Sequence, residues 1–341
     1  MATNVNSKAG IKVRQRSRSL VAGSGVAVPL RFRSDPVIWA GWLYFHDGLT
    51  QHEVAEVMGV SRATVNAYVA EARARGVVTV RMDPRWLTSI ALAKSLSEKY
   101  GLADAVVIPD AGTEGLEQRI GSAAAELLVT LLEPGDVLGV AWGRTVMAMT
   151  QSVSSTNRGL VKDLSVAQIM GGTTGTMDLS PEVCASLLAE RLGARCIYLT
   201  APGIVSSKRV RSILLQEPIL RDQLAILRKA TKVVFGVGST KPDSLIYTSG
   251  LIDRKSTPSQ NGVEAAAVVA CRFVTAEGKP IHDAYDERII GLSLSELVAI
   301  DVRIAVAGGP DKIEAIRACL LGGYASVLVT DAATAEALVQ D

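Results

Sequence analysis

Between Thr50 and Ala70 the run TQHEVAEVMGVSRATVNAYVA carries two short apolar stripes separated by one glycine, a pattern that few backbones accommodate. Val54, Ala55 and Met58 fall at the i, i+1, i+4 spacing of a buried helical face, and Val65, Tyr68 and Val69 repeat it. Ala55 is small where two steeply crossing helices would collide, and Gly59 can take the positive φ of a tight turn between them. Thr50 with Glu53 forms a capping box at the start of the first helix, and Ser61 stands at the N-cap of the second. The spacing predicts a helix-turn-helix; the alternative is a helical hairpin inside a larger all-α unit.

Ser61, Arg62, Ala63, Asn66, Ala67 and Ala70 face outward on the second helix, where such a helix meets base edges in a major groove. Arg62 suits guanine and Asn66 suits adenine, each bidentate pair being worth roughly 1–3 kcal/mol of discrimination. Upstream, Pro36 to Phe45 reads as a helix whose Ile38, Trp39, Trp42, Leu43 and Phe45 pack behind the pair. After Gly76, VVTVRM reads as a short strand or wing, with Arg73, Arg75, Arg81 and Arg85 placed to meet phosphates. A DNA-binding region is therefore expected over residues 35–85. Its expected contacts to double-stranded operator DNA are Ser61, Arg62, Ala63, Asn66, Ala67 and Arg73.

Charge supports this division. Residues 1–86 hold 12 Lys and Arg against 6 Asp and Glu, whereas residues 87–341 hold 24 against 28. One segment thus suits a polyanion and the other does not. Residues 1–34 contain seven basic side chains and no acidic one, and read as a flexible basic arm, either touching DNA backbone or simply solvated. Gly23, Ser24, Gly25 and Pro29 interrupt the apolar run Leu20 to Leu30, which excludes a secretory signal and gives a cytoplasmic expectation. Cys184, Cys196, Cys271 and Cys319 are scattered, as are the three histidines, so small buried hydrophobes are expected rather than a metal or cofactor site.

Beyond a connecting amphipathic helix at 86–102, short β-branched runs alternate with helical ones through residues 103–341. They are AVVIP, VLGVA, SVAQIM, RCIYL, KVVFGV, RIAVA and SVLVT, beginning at 105, 137, 165, 195, 232, 303 and 326. Near-continuous apolar strands between helices imply a Rossmann-like α/β domain with both sheet faces covered. Ligands in such folds gather beyond the carboxyl ends of strands. There stand Gly143, Arg144 and Thr145; Gly171, Gly172 and Thr173; Gly238; and, after RIAVA, Gly308 and Gly309 followed by Lys312. A cation at a helix N-terminus is unfavourable without an anion, which marks Arg144 and Lys312. Each glycine also has the plainer reading of a turn.

The motifs LTQHEVAEVMGVSRATV, PGDVLGVAWGRTV, LSVAQIMGG, LTAPGIV, FGVGS and VAGGPDKIEAIRACLLGGYASVLVTD together resemble the SorC family of sugar-responsive transcriptional regulators, over about residues 36–341. The resemblance implies an effector domain similar to the sugar-phosphate isomerase and CoA-transferase fold. It also implies a sugar, polyol or sugar-phosphate effector, and a homotetramer or dimers that pair on DNA. Carried over by motif, Gly143, Arg144 and Thr145 hold phosphate or sugar hydroxyls and Lys312 contacts phosphate, and Asp283 is placed with the effector-binding set. Two departures stand out. Ala67 lies where the family often has another arginine, and the hydroxyl-rich Thr173 to Thr176 loop suits a neutral polyol. The competing class is an isomerase-like enzyme fused to a DNA-binding domain, with Asp253, Asp283, Asp286 and Glu287 as candidate bases. A third is a constitutive DNA-binding protein whose large domain only oligomerises.

Overall fold

The computed structural model describes residues 35–78, 84–173, 179–253, 257–260 and 262–340. The chain divides into two compact units, one ending at Met82 and the other beginning at Asp83. The basic arm at 1–34 and most of the expected wing at 77–82 lie outside the described residues.

In the first unit, α1 (Pro36–Gly41) begins where the Asp35 carboxylate accepts the Val37 N–H at 3.2 Å. It continues into a π-helical turn, Trp42–His46, followed by α2 (Gln51–Met58) and α3 (Arg62–Ala74). The capping box is formed: Thr50 Oγ1 accepts the Glu53 N–H at 3.3 Å, and the Glu53 carboxylate accepts the Thr50 N–H at 2.7 Å. Gly59 takes φ +67°, and Ser61 Oγ accepts the Thr64 N–H at 3.1 Å. Ala40, Leu43, Val54, Ala55, Val65 and Val69 make the core, with Met58 and Tyr68 half-buried at its edge. Trp42 departs from expectation. It is 43% exposed and stacks on His46 with ring centroids 4.0 Å apart. The wider π turn brings Leu43 inward instead.

The second unit contains β1 (Asp104–Ile108), β2 (Val137–Val140), β3 (Ser165–Gln168), β4 (Arg195–Ile197), β5 (Lys232–Phe235) and β6 (Val237–Ser239). These are followed by β7 (Ser259–Gln260), β8 (Val263–Glu264), β9 (Ala267–Val269), β10 (Arg272–Val274), β11 (Val302–Val306) and β12 (Val327–Asp331). The seven strands expected from the sequence form one parallel sheet in the order β1-β12-β11-β5-β2-β3-β4. Successive residues feed opposite cores. Val233 and Phe235 enter one and Val234 the other, while Ile304 and Val306 lie across the sheet from Ala305 and Ala307. β6, β9 and β10 add a small antiparallel sheet, and β7 with β8 a ribbon.

Helices α5 (Leu116–Leu131), α6 (Arg144–Ser152) and α7 (Pro181–Leu192) supply the second of these cores. α5 and α6 approach so closely that a Cβ at Gly121 would stand 2.6 Å from the Met149 amide nitrogen. The connecting helix expected at 86–102 is α4 (Pro84–Tyr100), and it is built into the second unit. Lys99 Nζ donates to the Leu338 and Val339 carbonyls at 3.0 and 3.1 Å, and Tyr100 Oη donates to Leu338 O at 2.9 Å.

At the amino ends of β2 and β5 a buried ion pair joins Lys232 Nζ to Asp136 Oδ2 at 2.7 Å. Thr231 Oγ1 and the Glu133 N–H also donate to that carboxylate, at 2.6 and 2.7 Å. Burial acts to raise the Asp136 pKa, but Lys232 and these donors outweigh it and hold the carboxyl below its ordinary value. Asp136→Asn should cost up to about 3–5 kcal/mol in urea unfolding at pH 7, because the buried Lys232 amine loses its 2.7 Å partner and keeps only the exposed Glu133 carboxylate at 3.6 Å. The folded-state pKa is depressed, so the stabilisation is complete above the unfolded value of about 4 and is lost as pH falls through the folded value. The difference between wild type and variant should therefore shrink on the acid side.

Candidate functional site

β2 and β5 are neighbours from which the chain departs in opposite directions across the sheet, to β3 and β4 on one side and to β11 and β12 on the other. Their carboxyl ends consequently diverge and leave a crevice. A cavity of about 440 Å³ occupies it, lined by Gly143, Arg144, Thr145, Gly238 and Lys312 from the expected set.

Gly143 precedes α6 with φ +129°, a backbone that favours glycine, and no side chain caps the helix. The first-turn N–H groups of an α-helix have no intrahelical acceptor and carry the positive end of its dipole. Thr145 is 3% exposed, and its hydroxyl has no hydrogen-bond partner among the described residues. Lys312 is half-buried at the end of a 3₁₀ turn, Pro310–Lys312, and its amine joins no hydrogen bond or ion pair among the described residues. Burial pushes the Lys312 pKa below the ordinary lysine value, Glu117 acts to raise it and Arg144 to lower it. The loop carrying Lys312 is fixed from behind: the Gly309 N–H donates to Asp331 Oδ2 at 3.0 Å and to Thr334 Oγ1 at 2.8 Å. An amine, a hydroxyl and an uncapped helix start are the kinds of group from which anion sites are built.

Four expected effector residues stand outside the cavity lining. The Gly172 N–H donates to Ala201 O at 2.9 Å, and the Glu182 carboxylate occupies the place a Cβ on Gly172 would take. Gly171 is likewise crowded by the Ala201 and Pro202 backbone, so these glycines serve close packing. The Thr173 hydroxyl is buried and has no hydrogen-bond partner among the described residues. Asp283 Oδ1 accepts the Tyr285 and Asp286 N–H groups at 3.1 and 3.0 Å and so shapes a turn. Of the other carboxylates weighed as catalytic bases, Asp286 pairs with Arg272 and Glu287 with Lys208, and Asp253 also stands outside the lining. Among the described residues no group of His, Cys, Asp and Glu is arranged to hold a metal. Cys184, Cys271 and Cys319 are buried as expected, whereas Cys196 is only half-buried.

The cavity also uses residues that sequence reasoning missed. Thr113 comes from the turn before α5 and Glu117 from its start, Asp243 and Ser244 from the segment after β6, and Ala270 and Cys271 from the β9–β10 turn. That two-residue turn has φ +48° at Ala270 and +63° at Cys271. Such turns normally carry Asn-Gly, so nothing in the sequence announces this one. Trp142 Nε1 donates to Cys271 Sγ at 3.1 Å, tying the turn to the loop after β2.

On the first unit, Ser61, Arg62, Ala63, Asn66 and Ala67 are all exposed along α3. Ser61 Oγ is committed to capping, and Arg62 Nε donates to Gln51 Oε1 at 3.4 Å. The Arg73 guanidinium lies 5.1 Å over the Phe45 ring. Arg75 pairs with Asp35, tying the end of α3 to the start of α1.

Residues 85–340 match a family model described as "Putative sugar-binding domain", and residues 40–85 match a MarR family model. The chain is 35% identical over 315 residues to the transcriptional regulator YjhU of Escherichia coli (strain K12), covering 90% of this chain and 95% of that one. It is 30% identical over 303 residues to the erythritol catabolism regulatory protein EryD of Brucella abortus (strain 2308), covering 88% and 95%. The full-length sorbitol operon regulator SorC from Klebsiella pneumoniae shares the fold, with a TM-score of 0.69 at 23% identity over 89% of this chain and 98% of that one. A helix-turn-helix joined to a sheet domain with a ligand cavity defines a ligand-responsive DNA-binding regulator. The chain belongs to the SorC family of sugar-binding transcriptional regulators.

Arg62→Ala and Asn66→Ala should each weaken binding to the specific site by about tenfold or more in gel-shift titrations, leaving non-specific DNA binding nearly unchanged. Ser61→Ala should lower the thermal stability of the reading unit, by about 1 kcal/mol for the lost cap.

Proposed function

We propose that this protein controls genes of carbohydrate or polyol metabolism, with a small sugar, polyol or sugar phosphate in the cavity altering operator affinity. The observation that carries the reading is one cavity lined both by the part-buried amine of Lys312, unpaired among the described residues, and by Thr145 at the uncapped first turn of α6. Those groups favour an anionic member of the class, and Ser239 and Ser244 also line the cavity. Each protomer reads a half-site through Arg62 and Asn66, and a homotetramer, or dimers paired on DNA, spaces the readers. The protein acts in the cytoplasm, where its DNA lies, and performs no catalysis. The ligand changes the outcome only by its difference in affinity between DNA-competent and incompetent arrangements.

A thermal-shift panel of sugars, polyols and their phosphates tests this. A ligand present at 100 times its Kd should stabilise the folded state by about 2.7 kcal/mol. Lys312→Met should abolish both that shift and the ligand's effect on gel-shift affinity while unliganded DNA binding persists. Retention of a full ligand response in Lys312→Met would falsify the assignment.

A further inference from the structure

Two cations and three carboxylates line the cavity: Arg144 and Lys312 against Glu117, Asp243 and Asp311. Arg144 is already matched by Glu117, with Nη1 4.0 Å from Oε1, and Asp311 is matched by Lys241 at 2.7 Å. Among the described lining residues, Lys312 is the cation without an ion pair. Lys312 is half-buried, whereas Arg144, Glu117, Asp243 and Asp311 are all exposed, so the outer lining holds three carboxylates against one cation that is itself paired with Glu117. An anion seated on Lys312, Thr145 and the start of α6 is compensated where it sits. Whatever extends from it toward solvent meets carboxylates and cations that carboxylates already hold.

The geometry points to a charge filter: the site accepts a small hydroxylated ligand bearing one phosphate group, and Glu117, Asp243 and Asp311 reject a ligand bearing a second. This deepens the reading above and rests on it. Rejection comes from like charge at short range, the repulsive half of specificity. Two unit charges about 6 Å apart in a part-solvated site repel by enough to change affinity by about tenfold. Neutral hydroxyls are not penalised, because a carboxylate accepts their hydrogen bonds.

The test titrates matched pairs into the full-length protein by calorimetry: fructose 6-phosphate with fructose 1,6-bisphosphate, and glucose 6-phosphate with glucose 1,6-bisphosphate, with inorganic phosphate as reference. In any pair that binds, the monophosphate should be favoured by about tenfold or more at low salt. The margin should narrow as added salt screens the rim. It should also narrow in the Glu117→Gln/Asp243→Asn variant, where the bisphosphate gains more than the monophosphate does. Unliganded melting of that variant, whose substitutions are both exposed, checks that it folds. A bisphosphate that binds as tightly as its monophosphate overturns the filter while leaving the anion receptor standing. So does a wild-type margin that neither salt nor the double variant moves. Silence from every phosphate in the panel, inorganic phosphate included, removes the anion receptor and the filter with it.

Discussion

A parallel sheet hides its backbone only if both faces are covered, and that requirement organises the second unit. Each strand sends alternate residues into two separate cores, so the interior of the sheet offers no place for a ligand. Only the strand ends remain open. The amino ends of β2 and β5 are closed by the Asp136–Lys232 pair and its donors. At the carboxyl ends, where the two strands' continuations part, the backbone must turn sharply and its polar groups face a crevice. The cavity lined by Gly143, Thr145 and Lys312 lies there.

Much of this was legible in the sequence. Runs of five or six largely apolar residues between helical stretches give all seven sheet strands to within two residues, because a strand buried on both faces has no alternation to blur. The cap at Thr50, the turn at Gly59 and the N-cap at Ser61 were equally readable, being set by local hydrogen bonds. Gly143, Arg144, Thr145, Gly238 and Lys312 converge because each stands beyond the carboxyl end of a strand of the one parallel sheet.

What the sequence hid depended on distant partners. Gly171 and Gly172 look like a ligand loop, yet they are glycines because Ala201, Pro202 and Glu182 press against them from elsewhere in the chain. The Ala270–Cys271 turn lacks turn residues, since β9 and β10 and the Trp142 indole impose its left-handed backbone. Glu117 gave no local signal either; its place beside Arg144 exists only once α5 and α6 are packed together. Trp42 followed the apolar period of a helix, and a π turn moved it off that face.

The lone amine of Lys312 also says something about the empty protein. Burial opposes its charge, and among the described residues no carboxylate forms an ion pair with it. An anion bound there would offset that cost, and in the reading proposed above it would meet an amine whose loop is already fixed by the Gly309 contacts to Asp331 and Thr334. Such a ligand would move the equilibrium only so far as the DNA-competent and incompetent arrangements bind it differently.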